Sequence, residues 1–185
     1  TTVYTSIEAP TLLTVSTYDA TSETVTLSSP ISNLTSGSSG IFFNNLSNST
    51  NSGWLQTTSW TTTGLSPNMP YTVEASTRNG NGLIRAETTQ EAKYTLAAIP
   101  LAPTVVTSYD AVNGYNCSLT VNPNGNPGYT QYAVTIDDGT NWLQADGTAS
   151  PVVYWSTNLF WLYKNLATWT DYTFKVAARN ADLIV

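Results

Sequence analysis

Leu65-Ser66-Pro67-Asn68-Met69-Pro70-Tyr71-Thr72-Val73-Glu74-Ala75, followed by Arg78-Asn79-Gly80-Asn81-Gly82, decides the fold of this chain. It opens on turn-forming Pro and Asn, passes into alternating apolar and polar residues, and closes on a Gly and Asn cluster. Alternation puts Tyr71, Val73 and Ala75 on one face of a strand and Thr72 and Glu74 on the other. The pattern returns 101 residues later as Leu166, Tyr172-Thr173-Phe174-Lys175-Val176 and Arg179-Asn180.

Other segments repeat around it. Ala9-Pro10-Thr11 returns as Ala102-Pro103-Thr104, and Ser16-Thr17-Tyr18-Asp19-Ala20 as Thr107-Ser108-Tyr109-Asp110-Ala111. Trp54-Leu55-Gln56 aligns with Trp142-Leu143-Gln144. The chain therefore divides into two modules of roughly 90 residues. The expected boundaries are an N-terminal strand at 1–8, module one at 9–97, a linker at 98–101 and module two at 102–185. Val25-Thr26-Leu27 and Leu119-Thr120-Val121 read as further strands, with polar turn clusters between them. Regularly spaced short strands predict an all-β protein built from two tandem immunoglobulin-like sandwiches.

Composition agrees. Thr and Ser together number 51 and Asn 17, while charged residues make up only 10% of the 185. Thr, Val and Tyr favour strands, and Asn, Gly, Ser and Pro favour turns. A hydrophobic share of 41% is enough to bury a core. The net charge is −6, and the six basic residues are scattered, which excludes a phosphate-neutralising surface and so nucleic acid as a partner. No run approaches the roughly 18 apolar residues of a membrane span, so membrane insertion is not expected. Cys117 has no second cysteine to pair with and reads as a small buried hydrophobe. The chain begins at Thr1 without Met or a signal-like stretch, which reads as a processed chain or a segment of something longer.

These residues resemble the fibronectin type III family. Residues 65–82 look like that family's turn before strand F, strand F itself and the F–G turn, and residues 166–180 look like a second copy. The resemblance implies tyrosine corners, with Leu65 and Tyr71 in module one and Leu166 and Tyr172 in module two. Ala9-Pro10 and Ala102-Pro103 resemble the proline that opens strand A, and Asp138-Gly139-Thr140-Asn141-Trp142 resembles a mid-module hairpin of bacterial members. The resemblance therefore implies a secreted or cell-surface prokaryotic protein. The family usually carries a Trp in strand B, where this chain has Leu27 and either Val121 or Leu119.

Catalytic chemistry is hard to find. The chain has no histidine, which removes the commonest general base and zinc ligand. The adjacent carboxylates Asp137 and Asp138 read as a hairpin turn. No cofactor and no enzymatic activity are expected. Asn33, Asn45, Asn48 and Asn116 stand in Asn-x-Ser/Thr sequences and are candidate glycosylation sites. Their number is what this Asn, Ser and Thr content places by chance, and only the clustering of three in module one is notable. Tyr154, Trp155, Trp161 and Tyr163 form a dense aromatic run with two readings: an extra strand covering the core or a subunit, or a platform for sugar rings.

The repeat does not close. Module one continues past Asn79 to Lys93-Tyr94-Thr95-Leu96, a strand G expected over residues 83–96. Module two has only Leu183-Ile184-Val185 to begin that strand. Its strand F, with Tyr172, Phe174 and Val176, would then present an unpaired accepting edge. Val3-Tyr4-Thr5-Ser6-Ile7 resembles the end of a strand G with no module before it. Three explanations stay open: donor-strand exchange between identical subunits, one period of a longer repetitive protein, or ends without meaning. The first two predict that residues 1–8 leave module one and pair with another subunit or an adjacent repeat. The expected function is a non-enzymatic subunit of an extracellular filament or stalk, joined head-to-tail by strand complementation. The alternative is a spacer, carbohydrate-binding or adhesive module of a larger secreted protein, with glycans as partners.

Overall fold

The computed structural model describes residues 2–85, 90–112 and 114–185. The chain forms two compact units, Thr1–Leu96 and Ala97–Val185. Residues 2–8 thus belong to the first unit and residues 98–101 to the second.

Module one carries β1 (Leu13–Thr17), β2 (Ser22–Leu27), β3 (Gly40–Asn45), β4 (Thr50–Leu55), β5 (Ser59–Thr63), β6 (Pro70–Arg78), β7 (Ile84–Arg85) and β8 (Glu91–Tyr94). One sheet has the order β1-β2-β5; the other has β4-β3-β6-β7, with β8 also paired to β6. All these pairings are antiparallel. Residues 86–89 of the expected strand G lie outside the described residues; on either side of them β7 pairs Thr77 and Arg78, and β8 pairs residues 70–73. Inward residues alternate as the sequence pattern requires. Val25, Leu27, Ile41, Phe43, Val73 and Ala75 form the core, with Trp60 packed against it. Each Val, Leu, Ile or Phe side chain among them stabilises the fold by roughly 1.5–3 kcal/mol when fully buried.

Module two carries β9 (Leu101–Asp110), β10 (Gly114–Asn122), β11 (Gln131–Thr135), β12 (Trp142–Leu143), β13 (Ala149–Ser150), β14 (Phe160–Leu166) and β15 (Lys175–Arg179). Its sheets are β14-β10-β9 and β13-β12-β11-β15. Leu119, Val121, Tyr132, Val134, Leu143 and Trp161 lie in its core.

Pairing register corrects one sequence alignment. Gly40 stands opposite Arg78 and Gln131 opposite Arg179, so Ile41 corresponds to Tyr132. Ile41 pairs with Leu55, and Tyr132 bridges to Ser156. Trp54 therefore corresponds to Trp155, not to Trp142. The contacts agree: the Arg78 guanidinium lies 4.5 Å from the Trp54 ring centre, and that of Arg179 lies 4.6 Å from Trp155. Trp142 instead sits in the β12–β13 hairpin, the extra length of module two. The Asp137-Asp138 segment turns into that hairpin, with Asp138 at φ 63° and Gly139 at φ 101°.

Candidate functional site

Each module holds a Tyr in a fixed place. The Tyr71 hydroxyl accepts a hydrogen bond from the Ser66 amide at 2.8 Å, and the Tyr172 hydroxyl accepts one from the Ala167 amide at 3.0 Å. These bonds pin the turn that leads into β6 and β15. Beyond the corner the modules diverge.

In module one the turn is covered by the end of the last strand. Thr95 is fully buried and makes the central contacts. Its hydroxyl donates to Ser66 O at 2.7 Å and accepts from the Met69 amide at 3.1 Å, while its own amide donates to Met69 O at 3.1 Å. Asn68 N donates to Leu96 O, Leu96 N to Asp19 O, and the Thr17 hydroxyl to Tyr94 O. The strand is thus fastened to both sheets.

In module two the matching surface is an open groove of about 490 Å³, lined by Val105, Thr107, Leu166, Thr170, Tyr172 and Phe174 among others. It adjoins a second hollow that shares Thr107, Leu166 and Thr170 and reaches Asn116 and Trp169. β15 is an edge strand with no second partner among the described residues. It is also shorter than β6, because residues 171–174 lack the partner that β8 gives to residues 70–73. Tyr172 and Phe174 stack beside Tyr163 instead of under a strand. Asn116 is 6% exposed, and its Oδ1 has no hydrogen-bond partner among the described residues. Such a buried acceptor costs free energy until a donor reaches it.

Backbone strain marks the same region. Gly64, Asn68 and Gly82 have positive φ in module one; the equivalent positions in module two, Asn165, Trp169 and Leu183, also have positive φ. Bulky residues rarely adopt this conformation. Trp169 adopts it with its side chain fully in solvent, whereas Asn68 is fully buried. The final turns match as well: Asn79 N donates to Leu83 O, and Asn180 N to Ile184 O. Leu183 and Val185 are exposed, and Ile184 is 38% exposed. Val176 is half-buried beside the core.

The structure also places the remaining sequence candidates. In the single chain, residues 2–8 lie along module one. The Thr5 carbonyl accepts from Asn79 Nδ2 at 2.9 Å, the Glu8 carbonyl accepts from the Thr77 hydroxyl at 2.7 Å, and the Glu8 carboxylate accepts from Ser32 N. Hydrogen bonds from Ser32 hold the Glu8 carboxyl below the usual carboxylate range. Ile7 is buried, Ser6 is exposed, and Val3 is 79% exposed. Trp161 is not an exposed sugar platform: it is 6% exposed, and its indole N–H donates to Asn158 O. Tyr154 packs edge-on against Trp161, and Trp155 carries Arg179 on its face. Asn45 is fully buried, which closes it and the buried Asn116 to glycan attachment in the folded state. Asn33 and Asn48 are exposed. Cys117 is buried, and burial pushes its thiol up. Among the described residues, no group of three or more His, Cys, Asp or Glu could hold a metal ion.

Three strands β1-β2-β5 facing β4-β3-β6 with a last strand on β6, a tyrosine corner, and the same plan repeated decide the architecture. The fold is a tandem of fibronectin type III-like sandwiches. Among solved structures, a two-domain fibronectin type III segment of chicken tenascin is similar over 94% of this chain and 93% of its own, with 15% identity and a TM-score of 0.49. A chitinase from Bacillus thuringiensis is similar over 94% of this chain, with 14% identity and a TM-score of 0.38, and this chain spans 27% of it. No family model and no curated protein matches the sequence. In this tandem of sandwiches, the groove between β9 and residues 170–174 lies where module one has its turn covered by Thr95 and its neighbours.

Proposed function

We propose that the chain is a non-catalytic spacer or adhesive pair of modules within a larger extracellular protein. One observation carries this reading. In module one the polypeptide arrives and departs at opposite ends of β6: Thr5 is bound at Asn79, and Leu96 is bound at Asn68. Nine residues of strand separate these points, about 3.3 Å each. A module threaded in this way lengthens a string, and force applied to the string is carried along its strands. The polar Thr- and Asn-rich surface and the acidic net charge suit an exposed location outside the cell. A sugar-binding role gains nothing from Trp161, which is internal.

The test is mechanical. Pulling the chain by its ends should give two separate unfolding steps, each releasing about 30 nm of contour for some 90 residues. A single gradual extension, or one cooperative step for the whole chain, would contradict the reading.

A further inference from the structure

We propose that the groove of module two is a strand-binding site and that its occupant is residues 2–6 of a second copy of this chain. The inference rests on the spacer reading only in that a string needs a joint. Module one shows what the groove accepts. There, Tyr94 stands opposite Pro70 and Lys93 opposite Tyr71, and buried Thr95 bridges Ser66 O and the Met69 amide. Every one of these positions has a counterpart in module two: Asp171, Tyr172, Ala167 and Thr170. All are in place without the strand. The buried Asn116 Oδ1 lacks a donor, and Trp169 is held in a strained conformation with nothing over it. An added strand supplies both a row of N–H donors and a cover.

The occupant is named by the repeat. Tyr4-Thr5 precedes Ala9-Pro10-Thr11 as Tyr94-Thr95 precedes Ala102-Pro103-Thr104. On its own module this segment forms no strand. Its hold there is side-chain contact: the Thr5 carbonyl on Asn79, and the Tyr4 ring against Gly37 and Gly80. Exchange gives up those contacts and forms a backbone ladder plus the two bonds of the Thr hydroxyl. Ile7 and Glu8 can stay where they are, because Thr95 and Ala97, two residues apart, already belong to different units. In this register Tyr4 faces Asp171, Val3 faces Tyr172 and Thr2 faces Thr173.

Glycine chemistry gives a direct handle. A Cβ at Gly80 would lie 2.6 Å from Tyr4 Cγ, so Gly80→Ala displaces the Tyr4 ring without needing a left-handed backbone. The experiment uses the full chain with Thr2→Cys in one preparation and Thr173→Cys in the other, mixed under mild oxidation. Cys117 lines the groove, so both preparations also carry Cys117→Ala. Disulfide-linked pairs of copies should form, increase several-fold when the Thr2→Cys chain also carries Gly80→Ala, and fall about tenfold with Thr5→Val, which removes two hydrogen bonds. Near-ultraviolet circular dichroism confirms that each variant is folded. The absence of inter-copy linkage in the Gly80→Ala background would overturn the proposal, as would equal linkage with Thr5→Val. Because the pulling experiment needs no second copy, either reading can fail without the other.

Discussion

Module one and module two follow one plan, yet among the described residues β6 has partners on two sides and β15 on one. β6 is paired to β3 on one side and to β7 and β8 on the other; β15 is paired to β11 alone among the described residues, and a groove lies beside residues 170–174 that precede it. At three equivalent positions of positive φ, module one places Gly64, Asn68 and Gly82, and module two places Asn165, Trp169 and Leu183. The difference teaches that the sandwich core alone does not define the module. Leu119, Val121 and Val134 are buried as fully as Val25, Leu27 and Phe43 of module one, so the core of module two packs without a strand beside residues 171–174.

The largest effect that can break this comparison comes from the core. Trp161→Ala should cost about 3–5 kcal/mol of stability. Trp60→Ala should cost less, because Trp60 lies at the edge of its core. Thermal unfolding of both variants checks the order; equal losses would mean that Trp60 is as much a core residue as Trp161. Trp142→Ala, in the added hairpin, should disturb the Arg179–Trp155 contact little, which tests the corrected tryptophan correspondence.

Backbone strain gives the next largest effect. Gly82→Leu should destabilise module one by about 1–2 kcal/mol, because it forces a branched side chain into the left-handed region. Leu183→Gly should have the opposite sign and a smaller size, since glycine also gains entropy in the unfolded chain. Denaturant unfolding with resolved module transitions would show whether the signs are opposed.

The tyrosine corners sharpen the comparison further. Tyr71→Phe removes the acceptor of the Ser66 amide beneath a covering strand and should cost about 1 kcal/mol. Tyr172→Phe should cost less, because the Ala167 amide there is exposed to water.

The smallest effect is the pH response. Hydrogen bonds from Asn141 hold Asp137 below its usual value, the Thr148 amide does the same for Asp146, and the Thr21 amide for Asp19. A carboxyl depressed in the folded state stabilises the fold above its unfolded pKa, and that contribution disappears as pH falls through the folded value. Stability should therefore be flat near neutrality and decline in both modules below about pH 4. Glu8 follows the same rule, so acid should loosen residues 2–8 from Ser32.

Much of the fold was legible in the sequence, because burial on one face of a strand writes alternation into residues 71–75 and 172–176. The corner was legible because Leu and Tyr must stand at a fixed spacing to make it. The tryptophan pairing was not. Trp-Leu-Gln at 54–56 and at 142–144 is a local likeness, whereas register is set by a long-range pairing that no local motif displays. The aromatic run at 154–163 left two readings open for a related reason: composition shows that rings are dense, not which of them point inward. The open edge could be read from the repeat, but the position of residues 2–8 could not. It depends on Gly37 and Gly80 offering flat backbone to Tyr4, a contact between residues far apart in the chain. The left-handed backbone at Leu183 could have been found by placing Gly82 of module one over module two, and that at Trp169 by placing Asn68 there.

Hydrogen exchange of backbone amides tests the central claim most directly. If β15 lacks a second partner in the single chain, amides of residues 172–174 should exchange far faster than those of residues 71–73 at the same pH and temperature. Equal protection of the two stretches would contradict the account.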